Sequence, residues 1–283
     1  MLALSILFVI CSGLTHAVWN MLAKQSASKQ LFLWVILVPT TVALLPHLIW
    51  DLMHSSLPAE AIILIGLSLL LQSGYAILLS KSYEIGDMSQ VYPIMRGTST
   101  LLIPLIGVIF LNESLSVWGW GGLLFILSGI FLMSARKIGG KSSPITLKPV
   151  LLALGVGLTT TAYILVDKIN LTYLSPLALL EISNIGFMLG LTPFIGSVAR
   201  VKEMIQKKWR VILVGSILSP GSYLLFLVAM YYVPVARIAP IREVGTVFGT
   251  LLGIFMLKES EGTRRLVSAC IIATGIVAIG MWG

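Results

Sequence analysis

The stretch GLTHAVWNMLAK, from Gly13 to Lys24, is answered by GLTTTAYILVDK, from Gly157 to Lys168, at an offset of 144 residues. His16 stands over Thr160 and Trp19 over Tyr163, so the correspondence runs through polar and aromatic positions as well as apolar ones. The two halves agree again downstream. Ser73-Gly74-Tyr75 lies near Gly221-Ser222-Tyr223, Tyr92-Pro93-Ile94 over Ala239-Pro240-Ile241, and Leu111-Asn112-Glu113-Ser114 over Leu257-Lys258-Glu259-Ser260. The offset drifts between 144 and 148, as short loop insertions produce. A random match of two apolar segments would not supply these polar and aromatic coincidences.

The units that repeat are built for lipid. Of 283 residues, 57% are hydrophobic and 11% charged, with mean hydropathy +1.00, against roughly 25% charged in soluble domains. Runs of about 20 apolar residues cross the hydrocarbon core as helices, which satisfy their own backbone groups. Ten such runs are expected, at 2–22, 31–50, 61–80, 88–111, 117–134, 149–166, 176–197, 211–232, 237–257 and 266–283. The first lacks the positive start of a signal peptide and carries His16, Trp19 and Asn20, so it reads as a mature helix. No connection exceeds about 14 residues, which leaves no room for a catalytic domain outside the membrane. Five helices per unit is an odd number, so the second unit enters from the opposite face. The expected fold class is an all-α membrane protein of ten transmembrane helices arranged as two inverted five-helix repeats. The first repeat is placed at 1–137, a linker at 138–148 and the second repeat at 149–283. Inverted halves can exchange conformations and so open one midplane site to either side, which is a transporter's device.

Other classes recede. The net charge of +8 comes from basic residues in short segments between apolar runs, not along one face, so nucleic acid is not an expected partner. Cys11 and Cys270 lie far apart inside apolar runs and read as small packing residues; no metal site or cofactor is expected. No H-E-x-x-H, G-x-S-x-G or Walker loop is present, and the Asp residues nearest a span stand at its end, so an intramembrane enzyme or an ATP-driven pump is the weaker reading. A channel is disfavoured by the lack of a filter sequence or a ring of like charges.

The motifs His16-Ala17-x-Trp19-Asn20, Gly86-Asp87-x-Ser89-x-Val91-Tyr92-Pro93-Ile94-x-Arg96-Gly97, and Leu111-x-Glu113 with Leu257-x-Glu259 resemble the drug/metabolite transporter superfamily, in its ten-helix branch of two EamA domains. The resemblance covers essentially the whole chain. It implies a carrier of small metabolites, often an exporter of amino acids or related compounds, in a bacterial inner membrane. The implied partners are a small-molecule substrate and membrane lipid, with a proton as candidate coupling ion and a monomer or weak dimer as the assembly. A flippase of a lipid-linked sugar, which some relatives resemble, is the alternative.

Fifteen of the nineteen Lys and Arg fall in the odd-numbered connections or at their edges: Lys24, Lys29, Lys81, Arg136, Lys137, Lys141, Lys148, Arg200, Lys202, Lys207, Lys208, Arg210, Lys258, Arg264 and Arg265. Lys168 and Arg237 alone fall in even ones. The positive-inside rule then predicts that both termini lie outside the cytoplasm. Better-known members of the family resemble one another in having cytoplasmic termini, so this sidedness departs from them.

Charged groups within spans are costly and are the default functional candidates. Arg96 shares a helical face with Tyr92, and Pro93 frees a backbone carbonyl nearby. Glu243 takes the matching place when Pro93 is laid on Pro240. Two readings follow. Arg96 and Glu243 hold the carboxylate and amine of a zwitterion from two sides of a cavity, or they pair with each other and stabilise the bundle. Arg242, next to Glu243, brings a second anion-binding group or a local charge complex. His16, Trp19 and Asn20 share one face, with Tyr163, Tyr75 and Tyr223 as further aromatic candidates for cargo contact. His16, Glu181 and Glu243 are the candidate proton carriers, although solvation near a helix start would account for Glu181. Glu113 and Glu259 read as helix-end residues. Gly245-x-x-x-Gly249-x-x-x-Gly253 reads as a smooth packing stripe, and Trp50, Trp118 and Trp209 as interfacial anchors.

Overall fold

The computed structural model describes residues 1–24, 26, 28–85, 88–134, 147–255 and 262–283. Its elements are α1 (Leu2–Lys24), α2 (Lys29–His54), α3 (Ala59–Ile85), α4 (Met88–Phe110), α5 (Val117–Ser134), α6 (Leu147–Asn170), α7 (Pro176–Leu191), α8 (Val198–Tyr232), α9 (Val235–Ile241), α10 (Val244–Phe255) and α11 (Gly262–Trp282). No strand occurs among the described residues. Eight of these helices are long and apolar enough to span a bilayer. The shorter apolar α5 and the joined pair α9 and α10 complete ten crossings. Gly86, Asp87, Arg136, Lys137, Lys141, Leu257, Lys258, Glu259, Ser260 and most of the expected linker lie outside the described residues.

The helix pairings reproduce the internal repeat in space. Contact of α1 with α8 is answered by α6 with α3; α1 with α10 by α6 with α4; α2 with α8 by α7 with α3. Further contacts join an element to its own counterpart, α2 to α7, α4 to α9 and α5 to α11, and within the halves α4 with α5 is answered by α10 with α11. Exchanging the halves leaves this set unchanged, as a pseudo-twofold axis requires, and the chain is therefore an all-α membrane protein of two inverted repeats. Each half buries its first helix against the other half, so neither is an independent bundle. Close approach at the seams depends on glycine. A Cβ on Gly122 of α5 would sit 2.6 Å from the Gly275 carbonyl of α11, and one on Gly13 of α1 2.8 Å from the Gly245 amide nitrogen of α10.

The ninth crossing, expected as one helix over 237–257, is two. The α-helix stops at Ile241 and resumes at Val244, with the Glu243 amide donating to the Pro240 carbonyl in the turn between them. Pro240 carries no amide hydrogen, and the side chains of Arg242 and Glu243 are drawn to partners inside the bundle, so the helix breaks where it carries its charges. Span six also runs past its expected end at 166, to Asn170, which takes Asp167 into the helix and leaves it fully buried. The expectation that Asp residues merely mark span ends fails there. In α8 the backbone leaves helical geometry at Lys208 (φ −130°, ψ 22°), separating a short basic arm from the membrane-crossing part, in keeping with an interface helix around Trp209. Trp50, Trp118 and Trp209 are each more than half exposed, as anchors should be. Cys11 is half-buried, whereas Cys270 is exposed on α11 rather than buried as a packing residue would be. Of the glycine stripe, Gly245 meets Gly13, but Gly249 borders a cavity.

Candidate functional site

Between the two halves lies a cavity of about 490 Å³, within the range of small-molecule sites. The candidates His16, Trp19, Asn20, Tyr75, Tyr92, Arg96, Tyr163, Arg242 and Glu243 all line it. Tyr223 stands one layer back, under Arg242. The lining also takes in Lys29, Met133, Arg264 and Arg265, which sit where α2 and α11 begin and α5 ends. These ends belong to the odd-numbered connections, so the cavity leads to the basic face of the protein.

Arg96 and Glu243 do not stand apart across this space. The Arg96 Nη2 lies 2.7 Å from Glu243 Oε1, and its Nε donates to Oε2 at 3.2 Å, a fork matched to a carboxylate. Glu243 accepts two further hydrogen bonds, from Thr100 Oγ1 at 3.0 Å and Thr246 Oγ1 at 2.9 Å, and its side chain is 4% exposed. The Tyr92 hydroxyl stands 3.4 Å from Thr246 Oγ1. Four donor contacts saturate this carboxylate, and its place at the start of α10 suits a negative charge. The geometry is that of the second sequence reading, an ion pair joining α4 to the α9–α10 break. An amine from cargo would have to displace it.

Arg242 is placed differently. Its guanidinium carbon lies 4.4 Å from the Phe226 ring centre and 5.5 Å from that of Tyr223. It has no carboxylate partner among the described residues. A planar cation stacks on ring faces while keeping its edge free to donate. Around it the aromatic candidates form a chain. Tyr163 contacts Tyr75 edge-on at 5.5 Å and Tyr223 at 6.0 Å, and His16 meets Trp19 edge-on at 5.0 Å. The His16 Nδ1 is buried without a partner. Asn20 is spent on its own helix, donating to the His16 carbonyl at 2.8 Å, and the Trp19 indole points to Ser222 Oγ at 3.4 Å. Glu181 does not reach the cavity. It is fully buried on α7, accepting from Asn184 at 3.2 Å, so the solvation expected for it is absent.

The opposite face is closed by polar ties between the halves. Glu113 accepts from the amides of Val235 at 2.8 Å and Ala236 at 2.7 Å, which makes it the cap of α9 rather than a ligand. Asp51 Oδ2 accepts from the Ser175 amide at 3.0 Å and hydroxyl at 2.9 Å, and Asn170 donates to the Leu64 carbonyl at 3.2 Å. Asp167, a residue the sequence reading passed over, accepts from Ser68 Oγ and from the Tyr223 hydroxyl, each at 2.5 Å. Its signal was within reach. In the repeat register Ser68 corresponds to Ser216 and Tyr75 to Tyr223, but Asp167 falls opposite Ala23, so an acid is present in one half alone.

Comparison with known proteins agrees with this architecture. The profile of the EamA-like transporter family matches residues 3–135 and 147–281. The chain belongs to that family. The glucose uptake protein GlcU of Bacillus subtilis (strain 168) is 31% identical over 208 residues, covering 70% of this chain and 69% of its own. A solved crystal structure with 14% identity shares the fold, with a TM-score of 0.72 over 97% of this chain and 95% of that one. The protein is thus a membrane transporter of the drug/metabolite type.

Proposed function

We propose that this transporter carries a small polar metabolite bearing an oxyanion, amino-acid zwitterions included, through the cavity between its halves by alternating access. The observation that carries the reading is Arg242. Arg96 and Glu243 neutralise each other, whereas the Arg242 guanidinium, set deep between the halves, is braced by two rings and has no carboxylate partner among the described residues. A carboxylate or similar group of the cargo would complete it, while Tyr75, Tyr163 and Trp19 offer faces for the rest of the molecule. Placing the Lys- and Arg-rich connections in the cytoplasm makes the described cavity inward-facing. A carrier cycle runs both ways, and the gradient that drives it sets the direction, so export and uptake differ in coupling, not in architecture. A lipid-linked cargo would in addition need a lateral slot, whereas the lining leads to the basic face.

A neutral hexose is the second reading, favoured by the name of the relative from Bacillus subtilis and by the hydroxyls of Ser99, Thr100, Thr160, Thr246 and Thr250 in the lining. Counterflow of a labelled panel in proteoliposomes separates the two. If the oxyanion reading holds, carboxylate-bearing metabolites exchange, and Arg242→Gln weakens them about tenfold to a hundredfold, the worth of a hydrogen bond to a charged group. Exchange confined to neutral hexoses and untouched by Arg242→Gln would overturn it in favour of the sugar.

A further inference from the structure

The part of α8 over residues 211–232 is about 33 Å long as a helix and by itself spans a hydrocarbon core of about 30 Å. The arm ahead of it, residues 198–208, therefore lies at the headgroup layer of the basic face. In the register that pairs Tyr75 with Tyr223, the arm and the two residues after it stand over residues 50–62, which hold Asp51 and Glu60 and no Lys or Arg. The basic arm is thus peculiar to the second half. It carries Arg200, Lys202, Lys207 and Lys208, with Arg210 just beyond, against one acid, Glu203, which Lys207 occupies at 2.6 Å. Arg200, Lys202 and Lys208 form no ion pair among the described residues, and Arg210 stacks on Trp209 at 5.2 Å. Arg200 stands in the first turn of α8, where the helix dipole disfavours a cation, and Ser197 supplies no side-chain cap. Helix stability does not explain these charges. The faces of the arm are divided as well. Val201 and Met204 pack on the buried cluster of Leu31, Phe32 and Ile36 at the start of α2. Val198 and Ile205, seven residues apart, share the neighbouring edge and are 71% and 43% exposed, and Trp209 is 55% exposed past the break. By helical phase Lys202 borders that edge on the side away from the bundle.

We infer that the α8 arm is a binding surface for anionic phospholipid headgroups in the leaflet on the basic side. Val198, Ile205 and Trp209 enter the acyl boundary, while Arg200, Lys202, Lys208 and Arg210 meet the phosphates above it. A soluble anion would engage the cations and leave the apolar edge in water; a bilayer with negative headgroups satisfies both. The arm also sits where the carrier opens. Through Val201 and Met204 it packs on the start of α2, whose Lys29 and Leu33 line the cavity, so headgroup charge holds the arm beside the cavity mouth. The surface is independent of what the cavity carries.

Trp209 is the reporter for a test that needs no cargo. Full-length protein is reconstituted in phosphatidylcholine with rising fractions of brominated phosphatidylglycerol or brominated phosphatidylcholine, and quenching of Trp209 is taken as the difference between the parent and Trp209→Phe. At low salt, half-quenching is expected at a fraction about tenfold lower for phosphatidylglycerol, with the preference shrinking at high salt. Arg200→Gln, Lys202→Gln and Lys208→Gln combined should erase it, since each charge near an anionic surface is worth severalfold in affinity. Lys81→Gln, an exposed cation of the same face off the arm, should leave it unchanged. If the combined variant fails to insert, the lipid preference and salt dependence of the parent decide the matter. Equal quenching by both lipids, a preference indifferent to salt, or one kept by the combined variant would overturn the inference. So would release of the quenching by millimolar inorganic phosphate, which would make the arm a soluble-anion site. Failure of counterflow for every cargo would remove the proposed function and leave this result standing.

Discussion

The two faces of this transporter are built from corresponding helices and yet differ in kind. At the basic face the helix ends part around Lys29, Met133, Arg264 and Arg265, and the cavity reaches them. At the opposite face Glu113, Asp51, Asn170 and Asp167 each tie one half to the other. The repeat supplies both faces with the same helix pairings, so under the proposed alternating access the difference is one of state: a symmetric scaffold in one of two asymmetric arrangements. Cross-half hydrogen bonds, not apolar packing, are then the means by which one face is held shut, since apolar side chains gain little from meeting each other in place of lipid.

The comparison can be broken at its pivot first. Arg96 and Glu243 sit between the two faces, and Glu243→Gln leaves a buried guanidinium without its counter-charge, at a cost of about 3–5 kcal/mol. Thermal unfolding in detergent should show the largest loss of any substitution considered, and Arg96→Met combined with Glu243→Met should recover much of it. Next comes the closed face. Glu113→Ala removes both bonds at the start of α9 and should cost about 2 kcal/mol, with increased labelling of the cavity from that face. Asp51→Asn keeps the shape but not the charge facing Ser175, so about 1 kcal/mol and a smaller gain in labelling are expected. The open face should scarcely respond. Trp34→Phe deletes an exposed hydrogen bond to Thr192 and should stay within about 0.5 kcal/mol, with no change in sidedness.

Much of this was legible in the sequence, and for identifiable reasons. Hydropathy located the crossings because lipid forces the backbone into helices, and the repeat was readable because Trp19 and Tyr163, or Pro93 and Pro240, survive in both copies. Nine of the ten expected binding residues line one cavity because inverted repeats bring the same helix faces to the axis. What escaped depends on partners distant in the chain. The break at Arg242 and Glu243 was not read from Pro240 and the two adjacent charges, because part of the pull comes from Arg96 and Thr100 on another helix. The saturation of Glu243 was hidden in the same way. Asp167 was dismissed for standing near a span's end, a judgement that its burial under Ser68 and Tyr223 reverses.

Alternating access between these halves requires that the two faces exchange roles. Spin labels at Lys81 and Lys202 would report the separation of the halves at the basic face, and labels at Ser56 and Tyr232 the separation at the other, by pulsed electron–electron distance measurement in nanodiscs. Addition of whichever panel metabolite passes counterflow should shorten the first distance and lengthen the second. Distances that both stay fixed, or that change in the same sense, would contradict alternating access between these halves.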